Sequence, residues 1–405
     1  MRRLLFFAVA LPVAALTAPT LQEIESKADA LKAKGDAAGA LAAYRQAAAM
    51  DPQSPRLEDE IGFLLAVLNR RAEAIEHLGR AVDLNPRFAA AHFHLGVALW
   101  LEEDRVRSLP HLRAAASLEP TKASYRSKLG QALEADGRHE EAIPQLRAAT
   151  ALEPADAIAW SNLGAALQKT GDPTGALEAY RHTVDLQPAN LDARNGLGMA
   201  LVSTRRADEG IAEFQKVLAA APENSTARFN LGYAHLQKAE LDLAVAAFRE
   251  LLAREPNNAA AHYNLGVALK NKDDIDGAKA ELSRALEMDP QLAEAHYMIG
   301  IACWQSGEFE GTVKEMRSAV ALRPDYAQAY FMLGTALKQR GQATAAEEAL
   351  RAAIRLDPSD PGPYNTLAQM LRQKGDLEES KRLFAEGARV KQAKEAELGL
   401  RMERK

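Results

Sequence analysis

The sequence predicts an all-α solenoid built from eleven helix-turn-helix repeats of 34 residues. Two ladders of single residues indicate this repeat. Prolines recur every 34 residues in ten consecutive copies, and glycines recur at the same interval in nine consecutive copies. The composition agrees, because alanine is abundant and aromatic residues make up only 6% of the chain, which suits closely packed helices better than a twisted sheet. A fixed period of this length is typical of repeat architectures.

The two ladders set the register of the repeats. The ladder prolines are Pro52, Pro86, Pro120, Pro154, Pro188, Pro222, Pro256, Pro290, Pro324 and Pro358. The ladder glycines are Gly62, Gly96, Gly130, Gly164, Gly198, Gly232, Gly266, Gly300 and Gly334. With each glycine at position 8 the prolines fall at position 32, and eleven repeats fill residues 21–394. No single repeat could bury its own apolar face, so stacked repeats are expected to form one continuous domain.

Residues 1–20 are predicted to form a signal peptide or a short anchor. Arg2 and Arg3 precede an apolar stretch and small residues, which is the order found in a secretory signal. We expect cleavage after Ala15 and a periplasmic or secreted location. The alternative is an uncleaved membrane anchor. Its apolar stretch is shorter than the ~20 residues that a spanning helix needs, and Pro12 interrupts it.

Each repeat is predicted to be an antiparallel helix pair. Two stretches of 3.6-residue apolar periodicity, such as Ala261 to Lys270 and Ile275 to Met288, indicate the two helices. The glycine at position 8 is expected to face a small residue at position 20 across the pair. In the turn, a glycine is expected to take a positive φ and an aspartate to cap the second helix, as at Gly171-Asp172. The ladder proline is expected to end the second helix.

This pattern resembles the tetratricopeptide repeat family across nearly the whole chain. A small residue often recurs at position 20, as in Ala40 and Ala176, and a large apolar residue at position 24, as in Tyr44 and Phe248. The resemblance implies a right-handed superhelical solenoid. It also implies a concave groove lined by the first helix of each repeat, chiefly through positions 2, 5, 6, 9, 12 and 13.

Three departures from the pattern occur along the chain. The first and last repeats carry Ala28 and Ala368 in place of the ladder glycine, as expected of terminal repeats. Pro110 and Pro144 occupy position 22, and we interpret them as first-turn prolines of their helices, with a local kink as the alternative. Residues 395–405 are highly charged and are predicted to prolong the last helix.

The sequence offers no pattern for catalysis, and we expect neither a cofactor nor a metal. The single cysteine, Cys303, rules out an intramolecular disulfide or a thiolate zinc cluster and is expected to be buried. His92, His262 and His296 all fall at position 4, where the family commonly has a large packing ring. A formal charge of -5 provides no basic surface for nucleic acid.

The groove positions from the seventh repeat onward predict a peptide-binding surface. Position 5 is aromatic in four successive repeats, and amides and cations follow at positions 6, 12 and 13. The candidate binding residues are Phe229, Asn230, Tyr233, Tyr263, Asn264, Lys270, Asn271, Tyr297, Trp304, Gln305, Phe331, Lys338 and Arg372. Amides can pair with an extended backbone, rings can pack its side chains, and cations can meet carboxylates. The alternative is that these rings and amides reflect family packing alone.

The amino half lacks a repeating aromatic line and is expected to bind less. Its groove positions include Asp59, Glu60, Phe63, Phe93, Ser127, Lys128 and Ser161. The clamp that some family members use for chaperone carboxylates needs Lys at position 5 and Asn at position 9 of one repeat. No repeat here has that pair.

The leading hypothesis for function is an exported, non-catalytic scaffold that binds a protein or an extended peptide. One alternative is an accessory subunit of a glycosyltransferase, because asparagine-lined arrays of this kind resemble those that precede a catalytic domain in sugar-transfer enzymes. The 11 residues after the repeats are too few for such a domain. Another alternative is a cell-envelope assembly factor, tethered to the membrane if the amino-terminal segment is not cleaved.

Overall fold

The computed structural model describes residues 19–403, with side chains described to residue 396. These residues form 22 α-helices and no strand. The predicted all-α fold of eleven helix pairs is therefore confirmed. The predicted signal peptide or anchor lies outside the described residues, apart from its last two positions.

Each 34-residue repeat contributes one first helix and one second helix. The first helices are α1 (Leu21–Ala33), α3 (Pro55–Val67), α5 (Ala89–Leu101), α7 (Ala123–Ala135), α9 (Ala157–Lys169), α11 (Leu191–Ser203), α13 (Ser225–Gln237), α15 (Ala259–Asn271), α17 (Ala293–Gln305), α19 (Ala327–Gln339) and α21 (Pro361–Lys374). The second helices are α2 (Ala37–Met50), α4 (Arg71–Leu84), α6 (Arg105–Leu118), α8 (His139–Leu152), α10 (Pro173–Leu186), α12 (Ala207–Ala220), α14 (Leu241–Leu252), α16 (Ile275–Met288), α18 (Phe309–Leu322), α20 (Ala343–Leu356) and α22 (Leu377–Glu403).

The chain divides into two compact units. Unit 1 ends at Gly196 and unit 2 begins at Leu197, so the division falls within α11. In unit 1 each helix from α1 to α10 packs on the next one in sequence, and in unit 2 the same holds from α12 to α22. Each unit is therefore a stack in which a repeat contacts its neighbours in sequence.

The ladder glycines let the two helices of a repeat approach closely. A Cβ added at Gly266 would lie 2.6 Å from Leu282 Cγ and 3.2 Å from the carbonyl oxygen of Ala278. The sequence predicted the small residue at position 20 as the partner. The nearest atoms belong instead to the side chain at position 24, and the backbone at position 20 comes next.

The turn within each repeat has a left-handed residue at position 15 in all eleven copies. Six are glycines, as predicted, including Gly171 with φ of 81°. The other five are Asn69, Glu103, Arg205, Ala239 and Asp273. Asp172 caps α10 by accepting a hydrogen bond from the Gly175 amide at 2.9 Å, as predicted.

The ladder prolines end the second helices as predicted. From α2 to α20, each second helix ends two residues before its proline, except α14, which ends four residues before Pro256. The first-turn interpretation of Pro110 and Pro144 is wrong. Each is the sixth residue of its helix, so it lies in the second turn and leaves the carbonyl four residues earlier without a helical donor.

Candidate functional site

The first helices of unit 2 lie side by side. Each of α13, α15, α17 and α19 contacts the first helix of the next repeat. No pair of second helices in the described part of unit 2 makes comparable contact. The first helices are therefore on the inner side of this unit. We call positions 2, 5, 6, 9, 12 and 13 of α13, α15, α17, α19 and α21 the first-helix face.

The four position-5 rings stand in register on this face, one on each helix from α13 to α19. Phe229, Tyr263, Tyr297 and Phe331 are all half-buried. Phe229 packs edge-on against Phe248, with ring centroids 5.7 Å apart. Each ring thus packs on the core with one part and leaves another part accessible. The rings therefore pack on the core and still present accessible surface to a ligand.

A residue outside the predicted set joins this line of rings. Tyr326, at the N-cap of α19, has its ring centroid 4.9 Å from that of Tyr297. The Arg323 guanidinium stacks over the Tyr326 ring at 3.6 Å and pairs with Glu294 at 2.7 Å. Burial raises the pKa of Tyr326 to about 12, although Arg323 opposes the shift. Sequence reasoning missed this cluster because Arg323 and Tyr326 lie in an inter-repeat turn, away from the groove positions.

Burial also raises the pKa of the position-5 tyrosines Tyr263 and Tyr297. Neither hydroxyl has a hydrogen-bond partner among the described residues. Both phenols stay neutral at ordinary pH, since the shift is upward, and each can donate to an incoming acceptor.

The predicted amide side chains differ in exposure and in whether they already form a hydrogen bond within the protein. The Asn264 side chain donates to the carbonyl oxygen of Ala260 in its own helix at 2.8 Å, so part of its capacity is already used. Asn230 is half-buried, and Asn271 and Gln305 are exposed. Asn271 and Gln305 are the last residues of α15 and α17, where a bound chain could reach both side chains.

The position-12 side chains form a second line along the face. Lys270 and Lys338 are half-buried and Arg372 is exposed. None of the three makes an ion pair with a described residue, although Lys338 donates to Gln369 Oε1 at 3.2 Å. Trp304 holds the same position in α17 and packs on Phe309 with centroids 5.0 Å apart.

Cations two residues further along the chain, at the ends of these helices, are paired. Position 14 carries Lys238, Lys272, Arg340 and Lys374 in four of the five repeats. Each pairs with a carboxylate of the preceding repeat: Lys238 with Asp208 at 2.6 Å, Lys272 with Asp242, Arg340 with Glu310 at 3.6 Å, and Lys374 with Glu347 at 3.4 Å. The position-14 cations therefore link successive repeats, whereas the position-12 cations have no ion-pair partner among the described residues.

The corresponding face of unit 1 uses its side chains internally. Lys32 lies over the Phe63 ring at 4.8 Å, and Phe93 stacks on Tyr125 with centroids 4.6 Å apart. Asp59 is buried against His94 at 2.8 Å. This face also has exposed apolar residues that sequence reasoning did not single out.

Those apolar residues are Val67 and Leu101, which are 58% and 52% exposed. They occupy position 13, where unit 2 has Asn271 and Gln305. At this position unit 1 is apolar in its first four repeats and has Lys169 in the fifth, whereas the five repeats from α13 to α21 carry an amide side chain.

The position-4 histidines hold the backbone of the repeats together. His262 contacts the carbonyl oxygen of Pro256 through Nε2 at 2.9 Å and Glu281 through Nδ1 at 2.6 Å. Arg126, Trp160 and Arg194 at the same position also donate to a ladder-proline carbonyl, in the first case Pro120 at 2.5 Å. The role of His92 and His262 therefore includes a hydrogen bond to the preceding turn, whereas His296 contacts Glu315 through Nδ1 at 2.7 Å.

Two further findings concern other kinds of site. Cys303 is buried at 5% exposure, as predicted, and burial raises the pKa of its thiol. In the part of the chain that the structure describes, no group of three or more His, Cys, Asp or Glu is placed to hold a metal ion. None of the described helices is both long and apolar enough to cross a membrane.

Comparison with known proteins identifies the repeat. One tetratricopeptide repeat profile matches residues 63–124, 127–190, 166–225 and 195–259, and a second matches residues 236–302 and 303–369. The chain belongs to the tetratricopeptide repeat family. Tetratricopeptide repeats form scaffolds that generally mediate protein–protein interactions. No curated protein matches the sequence significantly.

Solved structures of tetratricopeptide repeat type share the fold. A tetratricopeptide repeat protein from Parabacteroides merdae is 15% identical, with a TM-score of 0.52 over 62% of this chain and 98% of that chain. Yeast Tom70 is 16% identical, with a TM-score of 0.48 over 91% and 92% of the two chains. A MamA structure is 25% identical, with a TM-score of 0.39 over 41% and 97%. The first of these supports the helix-pair fold and nothing further.

Proposed function

We propose that this chain is a non-catalytic scaffold that captures an extended segment of a partner protein on the first-helix face of unit 2. The observation that carries the proposal is the register of half-buried rings on four successive first helices, beside cations on α15, α19 and α21 that make no ion pair with a described residue. Rings held by the core lose little conformational entropy when a ligand packs on them, so their accessible parts favour binding. The exposed amides of Asn271 and Gln305 offer donors and acceptors to a backbone of any sequence.

Photo-crosslinking in the native cell tests this proposal. A photoreactive amino acid at Gln305 or Asn271 is expected to capture a partner, because both positions are exposed on the first-helix face. The matched control is Ser283, which is exposed on the second helix α16 of the same unit. Capture from Ser283 equal to that from Gln305 would contradict the proposal.

Alanine substitutions then compare the two units. Phe229→Ala with Tyr263→Ala is expected to weaken capture of the crosslinked partner more than Phe93→Ala, since Phe93 is already stacked on Tyr125. Circular dichroism and thermal unfolding check that each variant is folded before binding is compared. Equal losses in the two variants would mean that unit 2 has no special part in binding.

We also propose that the chain is exported. The support is the order of basic, apolar and small residues from Met1 to Ala18. Sequencing the amino terminus of the mature protein tests this. A terminus at Leu16 is expected, since cleavage is predicted after Ala15, and retention of Met1 in a membrane fraction would favour the tethered assembly factor instead.

A further inference from the structure

The two lines of side chains on the first-helix face have a common spacing. The position-5 rings recur in each repeat from α13 to α19, whereas position 12 carries a cation in α15, α19 and α21 and Trp304 in α17. Packed helices have interaxial distances of about 8–10 Å, so each line repeats at roughly that interval. Positions 5 and 12 are two helical turns apart, so the two lines run about 10 Å from each other.

The line of cations lacks carboxylate partners. On the whole first-helix face from α13 to α21, the one carboxylate is Glu294, and Arg323 neutralises it at 2.7 Å. The position-14 cations of the same helices are all paired within the protein. Lys270, Lys338 and Arg372 therefore give this face a local positive charge on a chain whose formal charge is -5.

An extended ligand can match this spacing in one regular conformation. A polyproline II helix advances about 9 Å per turn of three residues and presents every third side chain in the same direction. A β-strand repeats its side-chain direction at about 7 Å, so it would fall out of step within two repeats. Aromatic-lined grooves also favour polyproline II segments, whose backbone is already ordered.

We infer that the first-helix face of unit 2 binds an acidic polyproline II peptide with one apolar residue in each three-residue turn and carboxylates in the turns that face α15, α19 and α21. The apolar residues, proline among them, contact the rings of Phe229, Tyr263, Tyr297 and Phe331. The carboxylates meet Lys270, Lys338 and Arg372. This inference rests on the proposed function and narrows its ligand to one chemistry.

Defined peptides test the inference on the purified chain. The probe is a fluorescein-labelled peptide of about 15 residues that repeats Pro-Glu-Ser, long enough for five polyproline turns. Fluorescence anisotropy is expected to show binding that weakens as salt rises. A peptide of the same composition with the order shuffled is expected to bind about tenfold more weakly, because its carboxylates lose the three-residue period.

Charge reversal on the protein supplies the matched control. Lys270→Glu with Arg372→Glu is expected to weaken binding of the Pro-Glu-Ser peptide about tenfold. Lys272→Glu with Lys374→Glu makes the same change in net charge two residues further along the chain. It is expected to change binding by less than about twofold, once circular dichroism has shown that loss of the ion pairs with Asp242 and Glu347 leaves the fold intact. If the two double substitutions weakened binding equally, the peptide would be attracted only by the overall electrostatic field of the protein, and the inference would be overturned.

The outcomes separate the inference from the proposed function. If shuffled and regular peptides bind equally, or if single-stranded oligothymidylate binds more tightly than the peptide, the inference is wrong. In either case, crosslinking from Gln305 but not Ser283 would still support capture of a protein segment. If neither crosslinking position captures a protein in the cell, the proposed function itself fails.

Discussion

At the residue scale, position 4 shows how one side chain can serve three elements. His262 in α15 contacts Glu281 in α16 and the Pro256 carbonyl in the turn before the repeat. An intramolecular hydrogen bond contributes about 0.5–1.5 kcal/mol to stability, so a donor at this position stabilises the junction between repeats. Arginine and tryptophan can replace histidine there because each carries an N–H at a suitable reach.

The third repeat pairs two histidines where other repeats pair a base with an acid. His92 Nδ1 lies 3.0 Å from His111 Nδ1, and His92 Nε2 lies 3.1 Å from the Pro86 carbonyl oxygen. Two neutral rings satisfy this arrangement, with His111 donating to His92. Burial lowers the pKa of His111 below its usual 6.5, and the nearby His92 and Arg107 lower it further.

The lowered pKa of His111 makes stability depend on pH. The unfolded chain takes up a proton near pH 6.5, whereas the folded chain resists protonation to a lower pH. The contribution is therefore complete above about pH 6.5 and is lost as the pH falls below it. Urea unfolding between about pH 7.5 and 5 is expected to give a smaller fall in unfolding free energy for His111→Gln than for the natural chain. Parallel slopes would contradict the assignment.

At the scale of helices and turns, the sequence predicted most of the pattern. The 34-residue period predicted the number of helices and where the second helices end, because a proline disfavours the helical conformation for the residue before it and lacks an N–H donor. The left-handed residue at position 15 was predicted only where it is glycine. At Ala239 and Glu103 the tertiary fold imposes a φ of 57° and 61°, and local propensity carries no sign of it. Pro110 and Pro144 were misplaced by one turn because helix starts are the least certain part of a periodic pattern.

Strain at Ala239 predicts a stabilising substitution. An alanine in the left-handed region costs about 1–2 kcal/mol relative to a right-handed conformation, and glycine avoids most of this cost. Ala239→Gly is expected to raise the unfolding free energy by about 1 kcal/mol. Ala246→Gly, at an exposed position inside α14, is expected to lower it by about 1 kcal/mol. Denaturant unfolding measures both, and a loss of stability in Ala239→Gly would be the contrary result.

The candidate site was predictable in part. The rings and cations were found because they recur with the repeat. Whether each cation forms an ion pair could not be predicted from the period, because this depends on which residue of the preceding repeat lies opposite. Lys272 has Asp242 as its partner, whereas Lys270, two residues away, has none among the described residues. Tyr326 lies at a single turn and repeats nowhere in the ring line, so periodicity gave no signal for it.

At the scale of the whole molecule, a destabilising substitution is expected to affect mainly the repeats near it. Within each unit, the helices from α1 to α10 and from α12 to α22 pack on their neighbours in sequence, so the free energy of a repeat depends on its own packing and on its junctions. A change in one repeat should then reach the next repeats and weaken beyond them. This behaviour differs from that of a globular domain, in which one core is shared by all elements.

The ladder glycines allow this locality to be measured. In Gly266→Ala the new methyl group would lie 2.6 Å from Leu282 Cγ, and such overpacking costs about 1–3 kcal/mol. Hydrogen exchange is expected to speed up in α15 and α16 and in the adjoining α14 and α17, while α21 and α22 keep their rates. Gly334→Ala, which would meet Leu350 Cγ at 2.7 Å, should affect α18 to α21 and spare α13 and α14. If either variant accelerated exchange equally throughout unit 2, the repeats of that unit would be unfolding as one cooperative body.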